Sequence, residues 1–286
     1  MSLPDRLSRL TGAALLLFSM QSLADHDLRF RLVPRATVEA RLGQYEGNND
    51  ERQATLREMF AAVGCGEHIS EQPLQPRPPN LICVLPGTSD RVIIVGAHFD
   101  RVTQSAGVAD NWSGASLLPS LYEAVRIVPR QHTYVFVAFS AEEEGRIGSR
   151  AYVRKMTREQ MAATDAMVNI DTLGLDSTNV WYNHSDKDLV VALAYVATLI
   201  GSPLKRQDFE RVGSTDSESF ARRGMRSIAI HSLNQTNYNA AIIHSPRDKL
   251  SAINVDQFYE SYRLMAAYLV YLDHGLDPEP TSPDTH

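Results

Sequence analysis

Five short polar clusters follow apolar runs in this chain, and their order constrains the fold more than any other feature. Three of the runs, VIIVGA, TYVFVAFSA and AMVNI, have the length and β-branched content of buried strands. Because the carboxyl ends of strands in an open α/β sheet border one crevice, side chains placed there are expected to converge. The clusters contribute His98 and Asp100, Asp110, Glu142 and Glu143, Asp171, and His244.

Apolar patterns of strand and helix type alternate along most of the chain, which predicts an α/β fold. We expect a three-layer α/β/α sandwich around a mixed, mostly parallel central sheet. Helices are predicted at about 36–63, 113–127, 147–155, 187–200, 217–223 and 255–274, and strands at about 81–85, 91–97, 133–140, 166–171, 179–183 and 227–230. The first two strands are expected to form a hairpin, residues 64–80 to be irregular, and Ser113 to cap the helix that follows it.

The first 24 residues have the pattern of a secretory signal peptide. Arg6 and Arg9 precede a short apolar core, and a small-x-small sequence ends at Ala24. The alternative is that this segment is not cleaved and serves as an N-terminal membrane anchor. No later segment of the sequence is long and apolar enough to span a bilayer. We therefore expect export to the periplasm or the extracellular space, one domain at 25–276, and a disordered polar tail at 277–286.

Charge and cysteine content narrow the possible partners. The formal net charge is −6 and no basic run occurs, so a nucleic acid is not expected as a partner. The two cysteines, Cys65 and Cys83, are expected to form a disulfide in an exported chain, and two buried free thiols are the alternative.

The polar clusters have the chemistry of a metal site. A His and an Asp two residues apart at a strand end point to the same side of the chain. A carboxylate such as Asp110 can bridge two cations, although an Asp before a helix also acts as a cap. Of two adjacent glutamates, one can bind metal while the other takes a proton from a metal-bound water; a solvated acidic run is the alternative.

As a set, the nitrogen and oxygen donors suit zinc, with cobalt or manganese as substitutes. Signatures of other enzyme classes are absent from the sequence, among them G-x-S-x-G, a P-loop, HExxH and a helix-opening G-x-G-x-x-G.

Six segments in this order resemble the zinc aminopeptidases of the M28 peptidase clan: GAHFD, GVADNWSG, AEEEGRIGS, NIDTLG, STDSESF and YNAAIIHSPRDKL. The resemblance spans roughly residue 81 to the final helix, and it implies a peptide substrate and two zinc ions per chain. One zinc would be held by His98 and Asp171, the other by Glu143 and His244, with Asp110 bridging them. It further implies that Glu142 is the general base, that Asp100 orients His98, and that a cis peptide follows Asp110.

Two positions depart from the aminopeptidase pattern. Ser217 stands where the family often has a histidine, and His231 stands where aminopeptidases often place an acid near the substrate amine. The segment around His231 also resembles glutaminyl-peptide cyclotransferases, which share the fold and use one zinc. The peptidase interpretation is preferred because the acidic motif runs without interruption into GRIGS and because DNWSG keeps the peptidase form. A non-catalytic binding module is a further alternative; an M20-like peptidase would need an inserted second domain.

Overall fold

The structure is a computed structural model that describes residues 30–208 and 213–276. The predicted signal peptide and the predicted tail both lie outside the described residues. Eight strands are present in this part of the chain: β1 (Ile69–Leu74), β2 (Arg77–Leu85), β3 (Val92–His98), β4 (Thr133–Phe139), β5 (Thr164–Ile170), β6 (Thr178–Val180), β7 (Leu204–Arg206) and β8 (Ser227–His231).

The α-helices of the described residues are α1 (Arg35–Leu42), α2 (Asn49–Ala62), α3 (Ser113–Arg126), α4 (Ile147–Lys155), α5 (Arg158–Ala163), α6 (Lys187–Ile200), α7 (Ser217–Ala221), α8 (Gln235–Asn239) and α9 (Val255–Gly275). Among these described elements, no helix is long and apolar enough to cross a membrane. A short π-helical segment, Val108–Trp112, precedes α3.

All eight strands belong to one mixed sheet in the order β1-β2-β4-β3-β5-β8-β6-β7. The pairs β4–β3, β3–β5 and β5–β8 at its centre are parallel, whereas β1–β2, β2–β4 and β8–β6 are antiparallel. The predicted mixed sheet with a mostly parallel centre is therefore confirmed. Strands β3, β4 and β5 end at the same edge, so they deliver their following residues to one place.

The predicted hairpin between the strands at about 81–85 and 91–97, which correspond to β2 and β3, is wrong. Strand β2 pairs with β1 and β4, and β3 lies on the far side of β4. Residues 64–80, expected to be irregular, contain β1 and the start of β2. Pro78 and Pro79 are tolerated in β2 because its pairing with β4 covers only 81–85, and because its pairing with β1 uses Arg77 and Asn80 on either side of them.

Helices cover both faces of the sheet, as expected of an α/β/α sandwich. The larger core joins one face to α1, α2, α3, α6 and α9, and the smaller core joins the opposite face to α4 and α7. The predicted bounds of α4 and α6 match the structure. For α6 the reason is local: the Asp186 side chain accepts from the Asp188 and Leu189 amides, and Gly201 ends the helix with φ +67°.

The helical pattern at 36–63, which Gly43 and Gly47 interrupt, forms two helices separated by a turn in which Gly47 adopts φ +100°. The predicted cap of α3 needs correction. Ser113 does not cap α3, because it is already the first helical residue: its hydroxyl donates to the Ala109 carbonyl and accepts from the Leu173 amide. The short elements α5, β7 and α8 were not predicted, since segments of three to six residues are too short to show a period.

The predicted disulfide is present. Cys65 and Cys83 are bridged, both are fully buried, and their Cα atoms are 6.2 Å apart. The bridge joins the chain just after α2 to β2. In the chain-entropy model a loop of this length contributes on the order of 3 kcal/mol.

At the N-terminal ends of the central parallel strands, a buried imidazole joins three elements. His132, just before β4, has Nδ1 3.1 Å from Asp273 Oδ1 on α9 and Nε2 3.0 Å from Asp165 Oδ2 on β5. Asp165 also pairs with Arg91 before β3. Asp165 lies at the start of β5, so it is at the opposite end of that strand from Asp171. Although burial opposes ionisation, hydrogen bonds from His132 and the Gln131 amide lower the pKa of Asp273.

The lowered pKa of Asp273 gives a pH-dependent prediction. A carboxyl whose folded-state pKa is depressed stabilises the fold above its unfolded pKa, about 3.9, and loses that contribution as pH falls through the folded value. We expect Asp273→Asn to reduce the free energy of unfolding by about 2 kcal/mol near pH 7. The difference in the free energy of unfolding between the wild type and Asp273→Asn should shrink near pH 3. Part of it should remain, because an amide has only one acceptor oxygen where the carboxyl group has two.

Urea unfolding of both proteins across this pH range measures the effect. Asp90→Asn, at an exposed site, is the control and should change little. A deficit for Asp273→Asn that is independent of pH would contradict the proposed ionisation.

Candidate metal centre

All five predicted metal ligands converge at the carboxyl edge of the parallel strands. His98 is the last residue of β3, Glu143 follows β4, and Asp171 follows β5. Asp110 and His244 reach the same place from loops. Because each parallel strand ends at this edge, the apolar runs of the sequence fix where the polar residues after them must lie.

The Asp110 carboxylate lies between the two imidazoles. Its Oδ1 is 3.2 Å from His98 Nε2, and its Oδ2 is 3.0 Å from His244 Nε2. On one side, Asp171 Oδ1 is 3.6 Å from the same His98 nitrogen. On the other, Glu143 Oε2 is 2.9 Å from the same His244 nitrogen. Asp110 thus belongs to two groups of donors, one through each oxygen.

Each group has the composition and size of a metal site. In His98–Asp110–Asp171 and in Asp110–Glu143–His244, one donor atom from each residue lies within 4.8 Å of the others. Glu143 Oε1 is buried and has no hydrogen-bond partner in the described part of the chain. A buried unsatisfied carboxylate oxygen is costly, and a cation would compensate it. The donors therefore fit two cations that prefer nitrogen and oxygen ligands, as zinc does.

The electrostatics of the cluster also favour positive charge. Although burial opposes it, the charge of Asp171 and contacts with Asp100 and Asp110 raise the pKa of His98 well above its usual value. Hydrogen bonds to Asp110 and Glu143 raise the pKa of His244 to about 11. The carboxylates thus favour the protonated form of both imidazoles. Loss of those protons would free the ring-nitrogen lone pairs to bind cations at the same positions.

Glu142 lies beside these groups and faces an open pocket that also contains Asp110 and Asp171. Burial, together with the charges of Asp216, Asp171 and Asp110, raises the pKa of Glu142, while His98 opposes the shift. Asp216 is itself fully buried, and burial raises its pKa to about 7. The predicted base is therefore placed next to the donors without being paired to an imidazole.

Asp100 supports both sides of the cluster. Its Oδ1 accepts the Glu142 amide at 3.0 Å and its Oδ2 accepts the Glu143 amide at 3.2 Å. His98 Nδ1 lies 3.3 Å from the Asp100 carbonyl oxygen and 3.5 Å from Oδ1. The contact with His98 agrees with the orienting role that the resemblance implied. The hold on the glutamate loop was not predicted.

Three further residues support the candidate ligands through hydrogen bonds that the sequence did not predict. Asp248 accepts the amides of Val108, Ala109 and Asp110 at 3.0, 2.6 and 3.1 Å. The other two support the strand end at Asp171. Asn111 Oδ1 accepts the Thr172 amide, and Thr215 Oγ1 donates to Asp171 Oδ2 at 2.7 Å. Their partners are distant in sequence, so no local pattern reveals them.

Backbone geometry at the site is unusual. Ala141, Thr172 and His244 adopt left-handed φ values of 56°, 55° and 56°, and none of them is a glycine. Such conformations cost free energy and persist where surrounding contacts enforce them, often at functional sites. Each lies at or beside a candidate site residue. The peptide between Asp110 and Asn111 is cis, as the resemblance implied.

The pocket that Glu142 faces is mainly apolar and aromatic away from the cluster. Trp181, Ile230 and Ile243 line it, together with His231. Burial lowers the pKa of His231 to about 4, so its imidazole is neutral near pH 7. The pocket can thus accept an uncharged side chain beside the donor groups.

Comparison with known proteins agrees with this geometry. The sequence model of peptidase family M28 matches residues 80–269. Aminopeptidase YwaD of Bacillus subtilis is 27% identical over 193 residues, covering 62% of this chain and 40% of that protein. The chain therefore spans less than half the length of this relative.

Two solved structures share the fold. BSAP, a zinc aminopeptidase from Bacillus subtilis, superposes with a TM-score of 0.61 at 23% identity, covering 67% of this chain and 49% of that one. A glutaminyl cyclase from an Acidobacteriales bacterium superposes with a TM-score of 0.74 at 17% identity, covering 88% and 99%. At these identities the likeness establishes the α/β architecture.

The contacts of Asp248 yield a prediction about metal affinity. In Asp248→Asn the amide nitrogen would face backbone donors, so the segment that carries Asp110 should lose part of its support. We expect zinc affinity to fall by about 10- to 100-fold while the fold persists. Competition with a chromophoric chelator measures the affinity, and circular dichroism monitors the fold.

Asp256→Asn, at a side chain 79% exposed, is the matched control. Equal zinc affinity in the wild type and in Asp248→Asn would show that the hydrogen bonds to the Asp110 segment do not affect metal binding.

Proposed function

The chain belongs to peptidase family M28, and from this premise we propose that it is a di-zinc aminopeptidase that removes residues from the N-termini of peptides. The observation that carries the proposal is the pair of donor groups that share Asp110. A one-zinc cyclotransferase site needs only one such group. Here the second group, Asp110–Glu143–His244, is complete. Two of its members, Asp110 and His244, line the same pocket as Glu142.

Each metal would have its own terminal ligands. His98 and Asp171 would hold one zinc, Glu143 and His244 the other, and Asp110 would bind both. When bound, the zinc ions would supply Lewis-acid activation of the scissile carbonyl and of the attacking water. The protein contributes the placement of the ligands, which Asp100, Asp248 and Thr215 support through hydrogen bonds.

In the proposed reaction Glu142 would move the proton. It would accept a proton from the attacking water and then donate it to the departing amine, which is the usual sequence for a general base that becomes an acid. Asp100 fixes the backbone of Glu142 through the amide hydrogen bond. The neutral, largely apolar pocket with Trp181 and His231 would receive the N-terminal side chain of the peptide.

We also propose that the protein acts outside the cytoplasm. The disulfide between Cys65 and Cys83 supports an oxidising compartment. The sequence pattern of residues 1–24 supports export by a cleaved signal peptide. N-terminal sequencing of the mature protein from a native-like host tests this; an intact Met1 in the active protein would contradict cleavage.

Substitution of the two adjacent glutamates separates their roles. Glu142→Gln should keep the metal content and lower kcat by about 100- to 10,000-fold, because an amide cannot accept the proton. Glu143→Gln should instead weaken metal binding at one site. Zinc content by mass spectrometry and hydrolysis of aminoacyl anilides are measured on both variants. Loss of a zinc equivalent in Glu142→Gln with full retention in Glu143→Gln would reverse the assignment.

A substrate comparison distinguishes hydrolysis from cyclisation. The zinc-loaded protein should hydrolyse aminoacyl anilides and should not convert N-terminal glutaminyl peptides into pyroglutamyl products. Glu142→Gln is the matched control, since it removes the base without removing the metals. Cyclisation without anilide hydrolysis would replace the proposal with the cyclotransferase alternative. The absence of both activities with two bound zinc ions would favour a binding module.

A further inference from the structure

Five arginines surround one cavity on the side of the sheet covered by α4 and α7. The cavity has a volume of about 350 Å³, and its lining includes a serine and a valine but no acidic residue. The arginines are Arg146, Arg150, Arg154, Arg222 and Arg223. In a chain whose formal net charge is −6, this concentration of positive charge is local and unexpected.

The sequence explains how the arginines meet. Arg146, Arg150 and Arg154 are spaced by four residues at the start of α4 and along it, so they lie on one face of the helix. Arg222 and Arg223 follow α7, which packs beside α4. The five guanidinium groups therefore approach one space from two elements.

Little negative charge compensates them. Glu218 pairs with Arg146, with Nη1 and Oε2 2.6 Å apart, and it also pairs with Arg222. Among the residues that the structure describes, Arg150, Arg154 and Arg223 form no ion pair within 4.0 Å. The cavity thus keeps several positive charges without counterions from the protein, and like charges so close repel one another.

A second observation points to a missing acceptor. The Arg146 side chain is only 12% exposed, and its Nε is buried with no hydrogen-bond partner in the described residues. A buried donor on a charged group that lacks an acceptor is costly. An anionic oxygen in the cavity would supply the acceptor and would reduce the repulsion at the same time.

We propose that this cavity binds a small multivalent oxyanion, a phosphoryl or sulfate group. Guanidinium groups bind such oxygens with paired hydrogen bonds. Several guanidinium groups around one cavity offer more N–H donors than a single carboxylate can accept. Phosphate and sulfate groups occur free in solution, and phosphoryl groups also occur on lipid headgroups; the chemistry of recognition is shared. This site is separate from the metal ligands, and the proposal does not depend on the peptidase activity.

Calorimetric titration of the zinc-loaded protein with inorganic phosphate and with sulfate tests the proposal, at constant ionic strength set with chloride. We expect one site per chain that is distinct from any anion binding at the zinc ions, and at least tenfold weaker binding at that site in Arg150→Gln/Arg223→Gln. Both side chains are exposed, so the fold should persist, which thermal unfolding verifies. Arg158→Gln, an exposed arginine on α5 outside the cavity, is the matched control and should bind as the wild type does. Should the double variant fail to fold, Arg154→Gln takes its place.

Flotation with phosphatidylcholine vesicles, with and without phosphatidylglycerol, separates the two sources. Binding only to the anionic vesicles, lost in the arginine variant, would support a lipid headgroup as the ligand. Binding of free phosphate or sulfate that is equally sensitive would support a soluble ligand. The proposal is overturned if neither the free anions nor the vesicles bind, or if the arginine variant binds as tightly as the control.

Discussion

The geometry of the candidate metal centre depends on one carboxylate, that of Asp110, held between two imidazoles. Its two oxygens face His98 and His244 at 3.2 and 3.0 Å, so a shift in this side chain would disturb both donor groups together. The surrounding structure restrains it: Asp248 binds the amides that lead into it, and Asn111, directly after it, binds the strand end that carries Asp171. Buried polar groups that are fully bonded in this way rigidify their surroundings.

Much of this arrangement could be predicted from the sequence, because the relevant signals are local. Apolar β-branched runs identified the strands β3, β4 and β5, and parallel strands place the residues after them at one edge. The placement of His98, Asp171 and the pair Glu142 and Glu143 needed no more than that, whereas the choice of Glu143 as the ligand rested on the resemblance to zinc aminopeptidases. Asp110 and His244 lie on loops, where strand patterns fix no position, and the assignment of each to particular zinc ions rested on the same resemblance.

What escaped prediction involves contacts between residues far apart in the chain. Asp248 and Asp110 are separated by 138 positions, and Thr215 and Asp171 by 44. The order of the sheet was missed for the same reason. A short turn between β2 and β3 favoured a hairpin, whereas β4 lies between them in space. The left-handed residues beside the ligands also give no signal, since sequence reasoning associates that conformation with glycine.

The central claim, that one carboxylate serves two zinc sites, is tested most directly by the zinc content of Asp110→Asn. Mass spectrometry of the wild type should find two zinc ions per chain. If Asp110 belongs to both sites, Asp110→Asn should lose affinity at both, and titration should show no remaining tight site. A wild type that binds one zinc, or an Asp110→Asn protein that keeps one tight site unchanged, would contradict the account.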